Sequence, residues 1–391
     1  MISCSKNKGK YEKGTFGYDV SCLSKKDSIF VLTDDAGKGM AIVSAKYQAK
    51  VFTSTAEGMK GTSIGFVNYK VLDSDTLDPH MNGYGGENRF WLGPEGGRYS
   101  IFFTPDKEQV YDNWHTPPAI DTEAWEVMAA GQKVITLKKE MEVLNYQGNR
   151  LKLCADRIIS LIERKEIEES LAIEPDNDLQ TVAYTTHNRI TNRNDFEWTR
   201  QTGTVCIWML DMFHPSPKAV TVIPFREADE KSAGRIVTSD YFGDVPADRL
   251  KIGKNVIYFR TDGQFRSKLG LNGKRTKSVA GNYDPLSGRL TVVTFETDRD
   301  AVYLNQEWNP LKNPLEGDAM NAYNDGPLAD GSVMGPFLEL ESASPAAFLQ
   351  PGQTLAHRHT VYHFIGNRQA LDPIARKMLG VGINDIQDAF N

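Results

Sequence analysis

The sequence predicts an all-β protein folded as one large two-sheet sandwich, and three observations carry that reading. Short apolar runs with a period of two recur along most of the chain, bounded by turn residues, which is the pattern of antiparallel strands. Long amphipathic helical patterns are nearly absent. No linker, repeat or low-complexity stretch divides the 391 residues, although length alone would suggest two or three domains at roughly 150 residues each. Many short strands in one undivided domain imply two facing sheets over a common core.

The strands follow in order. Ser28 to Leu32 leads into the turn Asp34-Asp35-Ala36-Gly37, and Met40 to Ala45 and Lys50 to Ser54 read as further short strands. Lys133 to Lys138 and Glu140 to Leu144 alternate and end at Gln147-Gly148-Asn149, a loop suited to a hairpin. Val205 to Phe213 (VCIWMLDMF) is apolar on both faces, as expected of a central strand covered on both sides. Ala219 to Phe225 follows it. The turn Tyr283 to Gly288 precedes Arg289 to Glu296, where alternation resumes. Ala155 to Leu171 fits a strand or a helix face, and periodicity does not decide between them. Helices are predicted only near the C-terminus, over Pro373 to Met378 and Asn384 to Phe390, flanking Gly380-Val381-Gly382.

Composition sets limits on function. With 40% hydrophobic, 25% charged and 10% aromatic residues the chain is ordinary folded protein. A net charge of -6, with lysines and arginines scattered among acids, gives no basic stripe, so nucleic acid is not an expected partner. No run approaches the roughly 20 apolar residues of a membrane span. Met1-Ile2-Ser3-Cys4 before the polar Ser5 to Lys10 looks like the end of a bacterial lipoprotein signal without its apolar region. Cys4 is therefore either a lipid anchor, placing the protein in the periplasm or on the outer membrane, or an incidental cysteine. The expected division is a leader or tether over residues 1–24 and a single sandwich domain over residues 25–391. Cys22, Cys154 and Cys206 have no CxxC spacing, so neither a disulfide framework nor a zinc site is indicated. No cofactor or metal is expected.

Three clusters could carry chemistry. In Gly85 to Gly97, glycines that permit close backbone approach surround Glu87, Asn88, Arg89, Trp91 and Glu95, the mixture of hydrogen-bonding groups and aromatic faces that binds sugars. A β-turn with a surface ion pair is the alternative. In Phe337 to Ser342, Glu339 and Glu341 lie two residues apart on a strand and must face the same side. A buried pair of that kind raises the pKa of one member, as a general acid or base near neutrality requires; an exposed acidic edge is the alternative. The turn Tyr323 to Pro327 brings Asn324 or Asp325 toward the same ligand. In Gly352 to Phe364, His357, His359 and His363 share a strand face, suited to sugar hydrogen bonding, acid-base work, metal ligation with a third donor such as Glu341 or His187, or plain structure. Weaker candidates are His187, Arg266, Lys268 and Glu307. The six tryptophans offer stacking platforms, with core packing the expectation for Trp198 and Trp208.

The order of these pieces resembles the galactose mutarotase (aldose 1-epimerase)-like superfamily, and more closely the mutarotase-like proteins of gut Bacteroidota. The shared features are the early GG-E-x-R-x-W-L, Thr191-Asn192 on a middle strand, the Tyr283-Asp284-Pro285 turn, and Glu341 with Pro345 before Leu349 to Gly352, His357 and His359. The resemblance implies a supersandwich fold. It also implies strand rather than helix after Leu151, a sugar-binding role for Arg89, and Glu341 as catalytic base with Glu339 in reserve. Mutarotases place the acid histidine directly after that Thr-Asn, where this chain has Arg193. The acid must then come from His187, His357 or His359, or the reaction is not performed. Two readings follow. One is an epimerase or mutarotase, or a related lyase or hydrolase. The other is a non-catalytic carbohydrate-binding protein of a glycan-utilisation system.

Overall fold

The computed structural model describes residues 11–74, 76–173, 178–328 and 331–391, so Cys4 lies outside the described residues. Strands β1 (Phe30–Thr33), β2 (Met40–Ser44) and β3 (Lys50–Thr55) form a small sheet. Next come β4 (Arg89–Gly93), β5 (Glu126–Ala130), β6 (Val134–Leu144), β7 (Arg150–Ile162), β8 (Gln180–Asn192), β9 (Cys206–Phe213) and β10 (Val220–Pro224). The chain continues through β11 (Leu250–Ile252), β12 (Val256–Arg260), β13 (Ser267–Leu271), β14 (Val279–Asp284), β15 (Arg289–Phe295), β16 (Met320–Asn324), β17 (Leu338–Ala343) and β18 (Thr354–Ile365). A ten-stranded sheet runs β11-β12-β10-β14-β15-β18-β8-β7-β6-β5, and a five-stranded sheet runs β13-β16-β17-β9-β4. The pairings within the five-stranded sheet are all antiparallel.

The two large sheets face each other, because alternation gives each strand one inward set of apolar side chains. Phe90, Leu92, Ile207, Met209, Leu338 and Leu340 from the smaller sheet share a buried core with Ile135, Leu137, Leu153, Ile159, Tyr184, Val293 and Val361 from the larger. Each side chain of this size contributes about 1.5–3 kcal/mol when fully buried. Strand β9 is buried at every position and lies between β17 and β4, the central position its sequence predicts.

On the opposite face of the ten-stranded sheet, Leu371, Ile374, Leu379, Ile383 and Ile386 pack on Val222, Tyr258, Leu290, Val292 and Phe364. These residues come from helices Arg368–Leu379 and Ile383–Gln387. The first begins five residues before the expected Pro373, because the Asn367 side chain caps it by accepting the Ala370 N–H at 3.0 Å. Among the described residues no helix is long and apolar enough to cross a membrane.

The sequence expectation also differs from the structure over two earlier segments. The stretch Ala155 to Leu171 divides: β7 runs to Ile162, and Arg164–Leu171 is a helix started by Glu163, whose N–H donates to Glu166 at 3.2 Å. Residues 16–23, expected within the leader, form a helix whose Phe16 and Leu23 are buried with Ile42, Phe52 and Leu72. The folded domain thus includes residues on the leader side of the expected boundary at 24, because burial of these two apolar side chains holds the helix against β2 and β3.

Candidate functional site

Alternation along β17 decides where the two carboxylates go. Leu338, Leu340 and Ser342 point between the sheets, so Glu339 and Glu341 point out from the opposite face, into a cleft. Antiparallel register then aligns Glu341 with Leu210 and Arg89, and Glu339 with Tyr323 and Met212, with Lys268 beside Tyr323. Arg89 donates from Nη2 to Glu339 Oε1. Lys268 Nζ lies 3.0 Å from Glu341 Oε2, and Trp208 Nε1 donates to the same oxygen at 2.9 Å. All four charged side chains are buried.

Aromatic rings form the walls. Trp91 and Trp208 meet nearly edge-on, with centroids 5.7 Å apart. The Arg89 guanidinium sits 5.1 Å from the Trp91 ring centre and the Lys268 ammonium 4.9 Å from that of Trp208. Loop residues complete the cleft: Trp114 stacks with Trp308 at 6.1 Å and with Tyr111 at 6.2 Å, and all three line it. Gly96 lets the loop carrying Glu95 press against the one carrying Trp308, since a Cβ there would lie 2.4 Å from the Glu307 carbonyl oxygen. Phe242 and Met334 form an exposed apolar rim, with the Arg266 guanidinium 4.0 Å from the Phe242 ring centre.

Two electrostatic features distinguish this cleft. Arg89 Nε, Trp91 Nε1 and Trp114 Nε1 are buried donors without a hydrogen-bond partner among the described residues, and all three residues line it. An orphaned buried donor costs about 1–3 kcal/mol, and three of them belong to residues that line this one cleft. Burial also raises the Glu339 carboxyl to about 7; Arg89 opposes the shift and the neighbouring Glu341 adds to it. Burial raises Glu95 as well, against the pull of Lys268. For Lys268 burial acts downward, but Glu341 and Glu95 outweigh it and hold the ammonium above its usual range.

The histidines are elsewhere. His357 Nε2 and His359 Nδ1 each lie 2.8 Å from Ser342 Oγ, on the inter-sheet side of β17, and His359 Nε2 lies 2.6 Å from Asp211 Oδ2. Asn88 joins this network by donating to Asp211 Oδ1 at 2.6 Å, while Arg157 donates to Asn188 at 2.9 Å and to Asn88. His363 pairs with Glu87 at 2.9 Å, and Glu87 also accepts from the Ser54 hydroxyl at 2.7 Å. Burial, with His359 adding to it, depresses His357 to about 3. The expected role of His357 or His359 as acid partner to Glu341 is thus corrected: a β-sheet separates them from the cleft. His187 is corrected likewise, since on β8 it pairs with Arg358 in the ten-stranded sheet and does not line the cleft.

Of the other expected ligand residues, Arg89, Trp91, Glu95, Lys268 and Glu339 line the cleft with Glu341. Glu87 and Asn88 do not, because both are held in the core networks. Asn324 is spent on backbone, accepting from Gly263 N–H at 2.9 Å and donating to the Phe265 carbonyl at 2.8 Å. Glu307 lines a neighbouring cavity instead. Trp208 is buried in the core as expected and also lines the cleft, and Tyr323 and Phe242 are cleft residues that the sequence does not single out. In VCIWMLDMF the outward set Trp208, Leu210 and Met212 looks as apolar as the inward set, so only the strand's position in the sheet reveals its role. Among the described residues no group of three His, Cys, Asp or Glu is placed to hold a metal ion.

Fold and site together define an antiparallel two-sheet sandwich with a carboxylate and aromatic cleft on the outer face of its smaller sheet. The chain belongs to a family of unknown function, DUF6786, which it matches over residues 14–390. No curated protein sequence matches it. Similar solved structures include a putative aldose 1-epimerase from Escherichia coli K12, at 13% identity and TM-score 0.49, covering 86% of this chain and 98% of that one. A galactose mutarotase-like protein from Lactobacillus casei has 10% identity and TM-score 0.49, covering 86% and 100% of the respective chains. Galactose 1-epimerase from Lactobacillus acidophilus has 12% identity and TM-score 0.40, covering 87% and 94%.

Proposed function

We propose that the cleft binds a carbohydrate. The observation that carries this reading is the coincidence, on one sheet face, of buried unpartnered donors on Arg89, Trp91 and Trp114 with carboxylate acceptors and flat aromatic walls. Sugars present the complement: hydroxyls that accept and donate, and C–H faces that stack on rings. Four of the six tryptophans, Trp91, Trp114, Trp208 and Trp308, line the cleft. Titrating the protein with a panel of mono- and oligosaccharides should therefore produce a saturable change in tryptophan fluorescence. The change should vanish in Arg89→Ala; a panel that leaves the fluorescence untouched in the folded wild type refutes the reading.

A second reading, acid-base catalysis at the same site, is favoured by one observation. Glu339, raised to about 7 by burial, stands two residues from Glu341 on one strand face, so a protonated carboxyl near neutrality neighbours a carboxylate held by Lys268. Glu339 would give a proton to the sugar and Glu341 would take one, without a histidine. Exchange spectroscopy at the anomeric protons tests this. Accelerated interconversion abolished by both Glu339→Gln and Glu341→Gln supports it; binding without acceleration for every sugar leaves a non-catalytic binding protein.

A further inference from the structure

Beside the cleft lies a second cavity with a different chemistry. Polar side chains line it, among them Tyr241, Asn305, Gln306, Glu307, Glu316 and Asp318. The two spaces adjoin. Trp308 lines the cleft while its neighbour Glu307 lines the cavity, and Lys268 of the cleft has its ammonium 5.7 Å from the ring centre of Tyr241. Gln306 ties them together: its Oε1 accepts the N–H of the cleft residue Glu95 at 3.0 Å. The other end of that amide, Nε2, has no partner among the described residues, although Gln306 is only 6% exposed. A buried amide half left unpaired marks a place where a ligand oxygen would be gained at little cost.

Charge narrows the ligand class. Lys312 is paired with Glu307, and Arg235 with Asp240 at 3.3 Å. Asp318 accepts the Tyr241 hydroxyl at 2.6 Å, and the Glu316 carboxylate accepts from the Asn313 amide at 2.8 Å. With both cations already neutralised, the cavity offers amides, hydroxyls and engaged carboxylates. That set suits neutral hydroxyl groups better than a phosphate or a carboxylate ligand.

We infer that this cavity is a subsite for a second, neutral sugar ring, so that the ligand is an oligosaccharide with one ring in the aromatic cleft and the next beside Gln306. The inference rests on the carbohydrate reading of the cleft. Two or three added hydrogen bonds correspond to about a tenfold gain in affinity over a single ring.

Calorimetric titration with glucose, galactose and their α- and β-linked di- and trisaccharides tests it, on wild type, Gln306→Leu and Asn313→Trp. Asn313 is an exposed rim residue, so a tryptophan there obstructs the cavity without entering the core. At least one oligosaccharide should bind about tenfold tighter than its monosaccharide, and both variants should remove that gain, with monosaccharide affinity in Asn313→Trp within about twofold of wild type. Equal affinity of mono- and oligosaccharides, or a gain that survives in Asn313→Trp, overturns the subsite and leaves the cleft reading standing. Failure of every sugar to bind overturns both.

Discussion

Glu341 and Ser342 are neighbours in sequence on opposite sides of one strand: Glu341 takes the Lys268 ammonium at 3.0 Å in the cleft, while Ser342 meets His357 and His359 at 2.8 Å between the sheets. The period of two that brings Glu339 and Glu341 together also divides the glutamates from the histidines.

Breaking the inner network should therefore affect stability and spare the ligand. His359→Gln removes the imidazole at the buried Asp211 carboxylate and leaves it the Asn88 amide, and loss of a hydrogen bond to a buried charged group costs about 1.5–3 kcal/mol. Denaturant unfolding should show that loss, with sugar affinity in the folded protein within about twofold of wild type.

The acid limb of stability should carry the signature of His357. Its imidazole is held at about 3, against 6.5 for the free group, so it stays neutral in the fold where the unfolded chain takes up a proton. Its contribution is complete above pH 6.5 and declines as pH falls toward 3. The difference in unfolding free energy between wild type and His357→Gln should accordingly slope by up to about 1.4 kcal/mol per pH unit within that window, and be flat above it.

The cost of Arg89→Ala should also grow as pH rises, but across neutrality. Glu339 is raised to about 7, so above neutrality it is ionised and needs the guanidinium, whereas at pH 5 it is protonated. Stability measured at pH 8.5 should fall by about 3–5 kcal/mol, and by clearly less at pH 5. The double variant Arg89→Met, Glu339→Met should lose this pH dependence.

Lys268 offers a double-mutant cycle. Lys268→Met leaves Glu341 buried with only the Trp208 donor, and Glu341→Gln leaves Lys268 without its nearest carboxylate. Each single change should destabilise more than the pair together, with a coupling of about 0.5–3 kcal/mol.

Much of this architecture is legible in the sequence, for a physical reason. Strands such as Lys133 to Lys138 announce themselves because one face meets core and the other does not, and the turn residues Gln147-Gly148-Asn149 fix a hairpin locally. The helix Phe16–Leu23 is not legible, because its eight residues follow a polar, lysine-rich run and are held by contacts with β2 and β3 that no local pattern encodes. The site divides the same way. Arg89, Trp91, Glu95, Glu339 and Glu341 stand out as polar or aromatic groups in apolar or glycine-rich surroundings. Trp208 does not, since a cleft wall and a core residue look alike in an apolar strand. The histidines mislead because three polar residues with a strand period suggest a ligand face, and only the sheet pairing shows that this face is the interior of the sandwich.

The central claim is that the outer face of the five-stranded sheet, and not the histidine layer beneath it, meets the sugar. Saturation-transfer NMR with a panel of mono- and oligosaccharides, run on wild type, Trp308→Ala and His359→Gln, tests it most directly. Transfer to a sugar ring that is lost in Trp308→Ala and retained in folded His359→Gln is the result predicted. Transfer that survives the loss of Trp308 and disappears with His359 would contradict the account.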